Sequence, residues 1–297
     1  MYEDIRNNKI KTGVIVAIFT TMITLIIYAV CHLCGYGESA IIFSMIFAII
    51  SSIATYYNCD KVVLASVQAR PATPEEDLQL TNILDGLMIA SGLEDKPRLY
   101  VVESPQPNAF ATGRNPKNAV ICVTTGLIEK LNYRELEGVV AHELSHIKNY
   151  DIRLSAVISV MAGFIVILSD MIYRSSFRRN RSSDNDSNSG QGILILIGAI
   201  LLILSPLISN LIQLAVSRRR EYLADATAVS FTRNPDGLIS ALKKISEDDS
   251  ELDVASGSNA FMYIENPFKN KRKKEASSLF STHPSVYERV EALEKLK

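Results

Sequence analysis

Four long apolar runs constrain this chain more than anything else in it. From Gly13 to about Leu33 it carries no acidic residue and no Lys or Arg, enough helix to cross a bilayer. A second run extends from Ser39 to about Tyr57, a third from Leu154 to Tyr173 and a fourth from Ile193 to Val216. Mean hydropathy is positive although 21% of the residues are charged, so apolar and polar stretches are segregated. The expected fold class is a mainly α integral membrane protein with about four transmembrane helices and a small β-sheet. A net charge of −1 speaks against a general nucleic-acid binder. The lipid bilayer is the expected surrounding.

The first two runs read as an N-terminal transmembrane hairpin over residues 1–60, closed by a tight turn at Gly35-Tyr36-Gly37-Glu38. A cleavable signal peptide has a shorter apolar core and is not followed at once by a second one. Basic residues before the hairpin (Arg6, Lys9, Lys11) and after it (Lys61, Arg70) place both ends in the cytosol. That gives a multi-pass protein of the cell (inner) membrane. Residues 152–216 form a second hairpin around the Ser-, Asn- and Arg-rich loop Arg174–Gln191. Asp170 near one end and Pro206 are both compatible with burial in a membrane. Arg174, Arg178, Arg179 and Arg181 would lie on the far side, against the positive-inside trend. Either the first hairpin dictates orientation, or the third and fourth runs are re-entrant; both readings stand.

Residues 61–151 and 217–297 are polar and make two halves of one soluble domain. Thr73-Pro74-Glu75-Glu76 opens a helix to about Ser91, stopped by Gly92. Arg98–Glu103 and Ala119–Val123 read as strands, with Asn115–Asn118 as a hairpin turn whose earlier arm is Asn108–Thr112. Asn234-Pro235-Asp236 starts a helix to about Ser246, and another covers Ser285–Leu296. Residues 248–280 lack periodicity and hold a basic cluster, Lys269 to Lys274, which suits a solvated loop or an anionic lipid surface.

The chemistry concentrates at Ala141-His142-Glu143-Leu144-Ser145-His146. On a helix the two histidines lie four residues apart on one face, so both imidazoles can hold one metal ion. Glu143 stands beside them without needing to be a ligand, the place for a general base. Asn132 and Glu135 supply a capping box for that helix. Two polar histidines on an ordinary amphipathic helix would give the same letters. A catalytic zinc needs a third protein ligand, and Glu221 in Arg220-Glu221-Tyr222-Leu223-Ala224-Asp225 can supply it. Asp225, one turn on, can fix the tautomer of a ligand histidine. His146 precedes the third apolar run, and Glu221 follows the fourth, by only a few residues each. The two can share a metal only if the second hairpin returns to the side it left, which puts the site close to the membrane.

At AHELSHIKNYD (141–151), RRREYLADATA (218–228), NAFATGR (108–114) and STHP (281–284) the chain resembles the HtpX-type membrane zinc metallopeptidases, relatives of the CAAX prenyl-protein endopeptidases. The resemblance runs nearly end to end. It implies a zincin-like (gluzincin) metalloprotease domain holding one Zn2+ on His142, His146 and Glu221, with Glu143 as general base. It also implies that Asn108, Ala109, Phe110 and Ala111 form an edge strand facing the substrate, where a core strand is the plainer reading. It puts His283 near the zinc, where it can stabilise the oxyanion. The implied partners are polypeptide substrates, misfolded or damaged membrane proteins, cut on the cytosolic side. Oligomeric state is left unspecified. One rival reading is a substrate-specific prenyl-protein processing peptidase, whose known members carry more membrane segments. Another is an adaptor with a structural zinc, but such sites are usually closed by four Cys or His ligands. Of Cys31, Cys34, Cys59 and Cys122, only the last lies outside the first hairpin, and all four read as small apolar side chains. His32 reads as interfacial.

Overall fold

The computed structural model describes residues 2–33, 36–164, 218–268 and 284–297. Helices α1 (Tyr2–Leu33) and α2 (Ala40–Ser66) form the N-terminal hairpin. Its packing is inside out relative to a soluble helix pair. On α2 the residues turned inward are Ala40, Ser44, Ala48 and Ser52, small side chains at every fourth position. Ile42, Phe43, Ile46, Phe47, Ile50 and Ile53 face outward. Small residues let the backbones approach, and the hydroxyls of Thr20 and Ser52 meet at 2.7 Å between the helices. An apolar exterior of this extent suits lipid and not water. Arg6–Ala29 and Ala40–Ser66 are long and apolar enough to cross a membrane.

Both helices outrun the apolar runs that predict them. α1 starts at Tyr2 rather than near Gly13, because the polar segment before Gly13 holds no Gly or Pro and simply extends a helix already nucleated. α2 continues past Tyr57 to Ser66 across a kink at Asn58, where φ is −117° and ψ 15°. The Asn58 side chain donates to the Ala54 carbonyl there. The third apolar run is helical over residues 151–164 (α6) and packs Leu154, Val157, Ile158 and Met161 against Ile15, Phe19 and Ile23 of α1. Its remainder, the loop Arg174–Gln191, the fourth run and the basic cluster from Lys269 lie outside the described residues.

Among the described residues the sheet has four strands, β1 (Arg70–Pro71), β2 (Arg98–Val102), β3 (Ala109–Thr112) and β4 (Val120–Thr124), in the order β1-β2-β4-β3. β3 and β4 make the expected antiparallel hairpin, pairing Phe110 with Cys122, and β3 lies at the edge. β4 pairs with β2 in parallel. α3 (Pro74–Ser91), α4 (Thr125–Lys130) and α5 (Tyr133–Lys148) pack on the sheet, α7 (Arg218–Thr232) and α8 (Pro235–Glu247) pack on α5, and α9 (Val286–Glu294) packs on α7 and α8. The capping boxes at Thr73/Glu76 and Asn132/Glu135 form as the sequence predicts, and Gly92 ends α3 at φ +67°.

α5 is the hub. Leu136, Val139, Val140, Leu144 and Ile147 are fully buried, and α3, α7 and α8 share one core with it. Glu135 does more than cap: it also accepts from Ser240 (2.6 Å) and Lys244 (2.8 Å) on α8. Burial would raise its carboxyl, but Lys244, Ser240 and the Asn132 N–H together hold it below the usual range. α5 and α8 cross backbone to backbone at two glycines. A Cβ on Gly138 would stand 2.8 Å from the Leu238 nitrogen, and one on Gly237 2.5 Å from the Arg134 carbonyl oxygen. Gly138→Ala is therefore expected to destabilise by about 1–3 kcal/mol despite alanine's better helix propensity. A thermal melt equal to wild type would show that the two helices can part without cost.

Candidate active site

α5 delivers His142 and His146 to one face, and the first turn of α7 brings Glu221 to them. One ligand atom from each of the three lies within 4.8 Å of the others. The two Nε2 atoms are 3.2 Å apart. Glu221 reaches to 3.6 Å from His142 Nε2 and 3.8 Å from His146 Nε2. Ligand atoms of a tetrahedral site with bonds of about 2.0–2.1 Å stand about 3.3–3.4 Å apart, so these side chains are spaced for a small cation. Among the described residues they are the one cluster of this kind.

Each histidine is backed by a carboxylate. His142 Nδ1 lies 2.9 Å from Asp225 and His146 Nδ1 3.0 Å from Asp151. A carboxylate accepts the Nδ1 proton and leaves the Nε2 lone pair turned inward, so both rings present a lone pair to the same point. Two lone pairs at 3.2 Å repel unless a proton or a metal sits between them. The charges agree. Burial opposes a charge on His146, but the Asp151 bond with Glu221 and Glu143 outweighs it and raises the ring to about 9. His142, wholly buried and next to Arg289, is lowered. The site favours one added positive charge, and the donor set fits a divalent metal with N and O ligands.

Glu143 lines the same cavity and is 2% exposed. Burial raises its carboxyl to about 7, helped by Glu221 and opposed by His146, Arg289 and, least, the backbone of Ala111. A carboxyl poised there can exchange a proton near neutral pH.

Of the expected edge strand, Ala111 lines the cavity, and all four residues from Ala109 to Thr112 are buried. Their outer edge is in part already engaged. The Ile264 N–H donates to the Ala109 carbonyl at 2.9 Å, and the Asn108 side chain donates to the Glu265 carbonyl at 3.0 Å. Phe110 turns the other way and stacks edge-on against Tyr263 at 5.1 Å. Phe261, Met262, Tyr263 and Ile264 wall the cavity opposite α5. His283 lies outside the described residues.

Two site residues carry no role in the sequence reading. Asp151 is the ring partner of His146, and its signal was its position directly after the helix that bears the ligands. Arg289 is 1% exposed. Its Nε donates to Asp225 at 2.9 Å, its Nη2 to the other Asp225 oxygen at 2.6 Å, and its Nη1 to the Ile264 carbonyl at 3.0 Å. Its signal was a cation in line with Val286, Val290 and Leu293, the apolar stripe of α9.

The sequence model of peptidase family M48 matches residues 74–297. The "Protease HtpX homolog" of Dictyoglomus thermophilum is 42% identical over 292 residues, 98% of this chain and 93% of the relative. The protein of the same description from Caldanaerobacter subterraneus subsp. tengcongensis is 42% identical over 299 residues, 100% of this chain and 98% of the relative. Among solved structures, the crystal structure of S. mikatae Ste24p superposes with a TM-score of 0.52 at 20% identity, covering 99% of this chain and 67% of that one.

Proposed function

The chain belongs to peptidase family M48 and is a metalloendopeptidase of the HtpX type, and from that premise we propose that it is a zinc enzyme which cuts membrane proteins beside the cytosolic face of the membrane. The observation that carries the reading is the cluster itself: three ligand atoms within 4.8 Å, each imidazole oriented by its own carboxylate, with Glu143 alongside. His142, His146 and Glu221 would hold the zinc. Bound there, it would supply Lewis-acid polarisation of the scissile carbonyl and a water whose pKa is lowered to about 7. Glu143 takes a proton from the attacking water and returns it to the leaving amine. A set of three protein donors suits a catalytic site, whereas a structural site is usually closed by four. His283, from its motif, assists at the oxyanion, and His283→Ala is expected to lower kcat while zinc content stays unchanged.

A polypeptide enters in extended form along β3. Because Ile264 takes the Ala109 carbonyl, the substrate backbone either displaces residues 263–265 or continues the strand pairing beyond them. α1 and α2 span the bilayer, and the beginning of α1 and the end of α2 both meet the protease domain. Those ends therefore share its side, and the basic residues flanking the hairpin favour the cytosol. α6 continues along α1 towards the membrane, which suits membrane-protein substrates that reach the site laterally.

The test is casein cleavage by the full chain in detergent, purified under chelation and then given zinc. Cleavage only after zinc returns supports the reading; equal cleavage before and after removes the metal from the mechanism. Chelation is also expected to lower the melting temperature, because zinc at about 100 times its Kd stabilises the folded state by about 2.7 kcal/mol. A melt indifferent to zinc would mean that the folded cluster does not hold it.

A further inference from the structure

We propose that Asn8, on the membrane-anchor helix α1, is a positioning residue of the metal centre. Asn8 is a buried polar side chain, 4% exposed, on the inward face of α1 that continues through Thr12, Ile15, Phe19 and Ile23. Its Nδ2 donates to Asp151 Oδ1 at 2.7 Å and lies 3.3 Å from the Asn149 carbonyl oxygen. Both neighbours only accept, so the amide orientation is fixed by its partners. The other Asp151 oxygen, Oδ2, accepts from His146 Nδ1 at 3.0 Å. A continuous chain thus runs from α1 through Asp151 to a metal-ligand ring.

The surroundings make this contact a clamp. Tyr150, between Asn149 and Asp151, has φ +60°, a left-handed conformation that side-chain-bearing residues seldom adopt. It forms the sharp turn from α5 into α6, so the direction of the Asp151 side chain depends on that turn being held. α1 holds it from one side: Lys9 Nζ stands 4.6 Å over the Tyr150 ring, with the Arg153 guanidinium 5.3 Å from the same ring. Asn8 ties down the residues on either side of Tyr150. The helix that anchors the chain in the membrane, though outside residues 74–297, therefore helps set the His146 ring. Withdrawing α1 leaves Asp151 Oδ1 to the longer contact with the Arg220 guanidinium at 3.9 Å and lets the imidazole rotate out of register.

This inference rests on the metal reading above, and the experiment separates the two. Full-length wild type, Asn8→Leu, Asn8→Asp and, as a control on the same helix face, Thr12→Val are purified in detergent without metal. Zinc affinity is measured by competition with a chromophoric chelator, the ligand field by the visible spectrum with cobalt(II), and the metal-free melt by circular dichroism. Both Asn8 variants are expected to bind zinc about tenfold or more weakly, within the range for residues behind a metal ligand. Their cobalt spectra should shift and their zinc losses exceed what any fall in their metal-free melts accounts for, while Thr12→Val keeps wild-type affinity and spectrum. In an Asp151→Ala background, Asn8→Leu is expected to cost no further affinity, because its path runs through Asp151. Wild-type affinity in Asn8→Leu, or a loss shared equally by Thr12→Val, overturns the role of Asn8 and leaves the metal site standing. A wild type that binds no zinc overturns both.

Discussion

Glu143→Gln is expected to abolish peptide cleavage while leaving zinc in place. Gln keeps the shape but cannot take a proton, and removing a general base costs about 10²–10⁴-fold in rate. Three structural facts separate this residue from the proposed ligands. It is adjacent to His142 on α5 and so projects to one side of the face shared by His142 and His146. The three ligand atoms that converge within 4.8 Å are supplied without it. Its carboxyl lines the cavity beside the cluster, where burial raises it towards neutrality and suits it to exchange a proton. Zinc content by elemental analysis and casein cleavage, run on the same preparation, check the assignment. Zinc lost along with activity would make Glu143 a ligand, and cleavage at wild-type rate would put the base elsewhere.

How much of this was legible in the sequence depends on how local the signal is. His142, Glu143 and His146 are fixed relative to one another by a single helix, so their spacing alone announces the chemistry. The caps at Thr73 and Asn132 and the stop at Gly92 were readable for the same reason. Glu221 could be reached because a catalytic zinc asks for a third ligand and the segment 218–228 offers one; the return of the intervening hairpin follows from that choice and does not lead to it. The parallel pairing of β2 with β4 could not, since it depends on a crossover that no short window records. Asp151 meets His146 only five residues away, whereas Asn8 and Arg289 were missed for a physical reason in common. Each acts through a contact made only in three dimensions, at a separation of 143 residues between Asn8 and Asp151 and 64 between Arg289 and Asp225. What the sequence does hold is a misfit, a polar residue in line with an apolar stripe. Asn8 and Thr12 continue the stripe of Ile15, Phe19 and Ile23, and Arg289 sits within that of Val286 and Val290. A polar group at a core position has to be satisfied by something, and here the partners lead to the metal cluster.

Arg289→Met carries the largest expected effect on stability. The guanidinium is wholly buried and grips Asp225 with two parallel bonds, at 2.9 and 2.6 Å, while Asp225 in turn holds the His142 ring. Methionine fills similar space but leaves the Asp225 carboxylate buried without its cation. Breaking one side of such a pair costs about 3–5 kcal/mol. The Ile264 carbonyl loses its donor as well, which frees the wall opposite α5. Lysine is not expected to rescue, since a single ammonium cannot reproduce the two-pronged contact and reach Ile264 too. The diagnostic partner is the double variant Arg289→Met with Asp225→Asn. It removes the stranded charge, and its side-chain oxygen can still accept from His142 Nδ1. If the loss arises from an unpaired buried anion, the double variant melts higher than Arg289→Met alone and regains part of the zinc affinity. If it melts no higher, the loss comes from packing around α9, and Asp225 holds His142 without electrostatic help from Arg289.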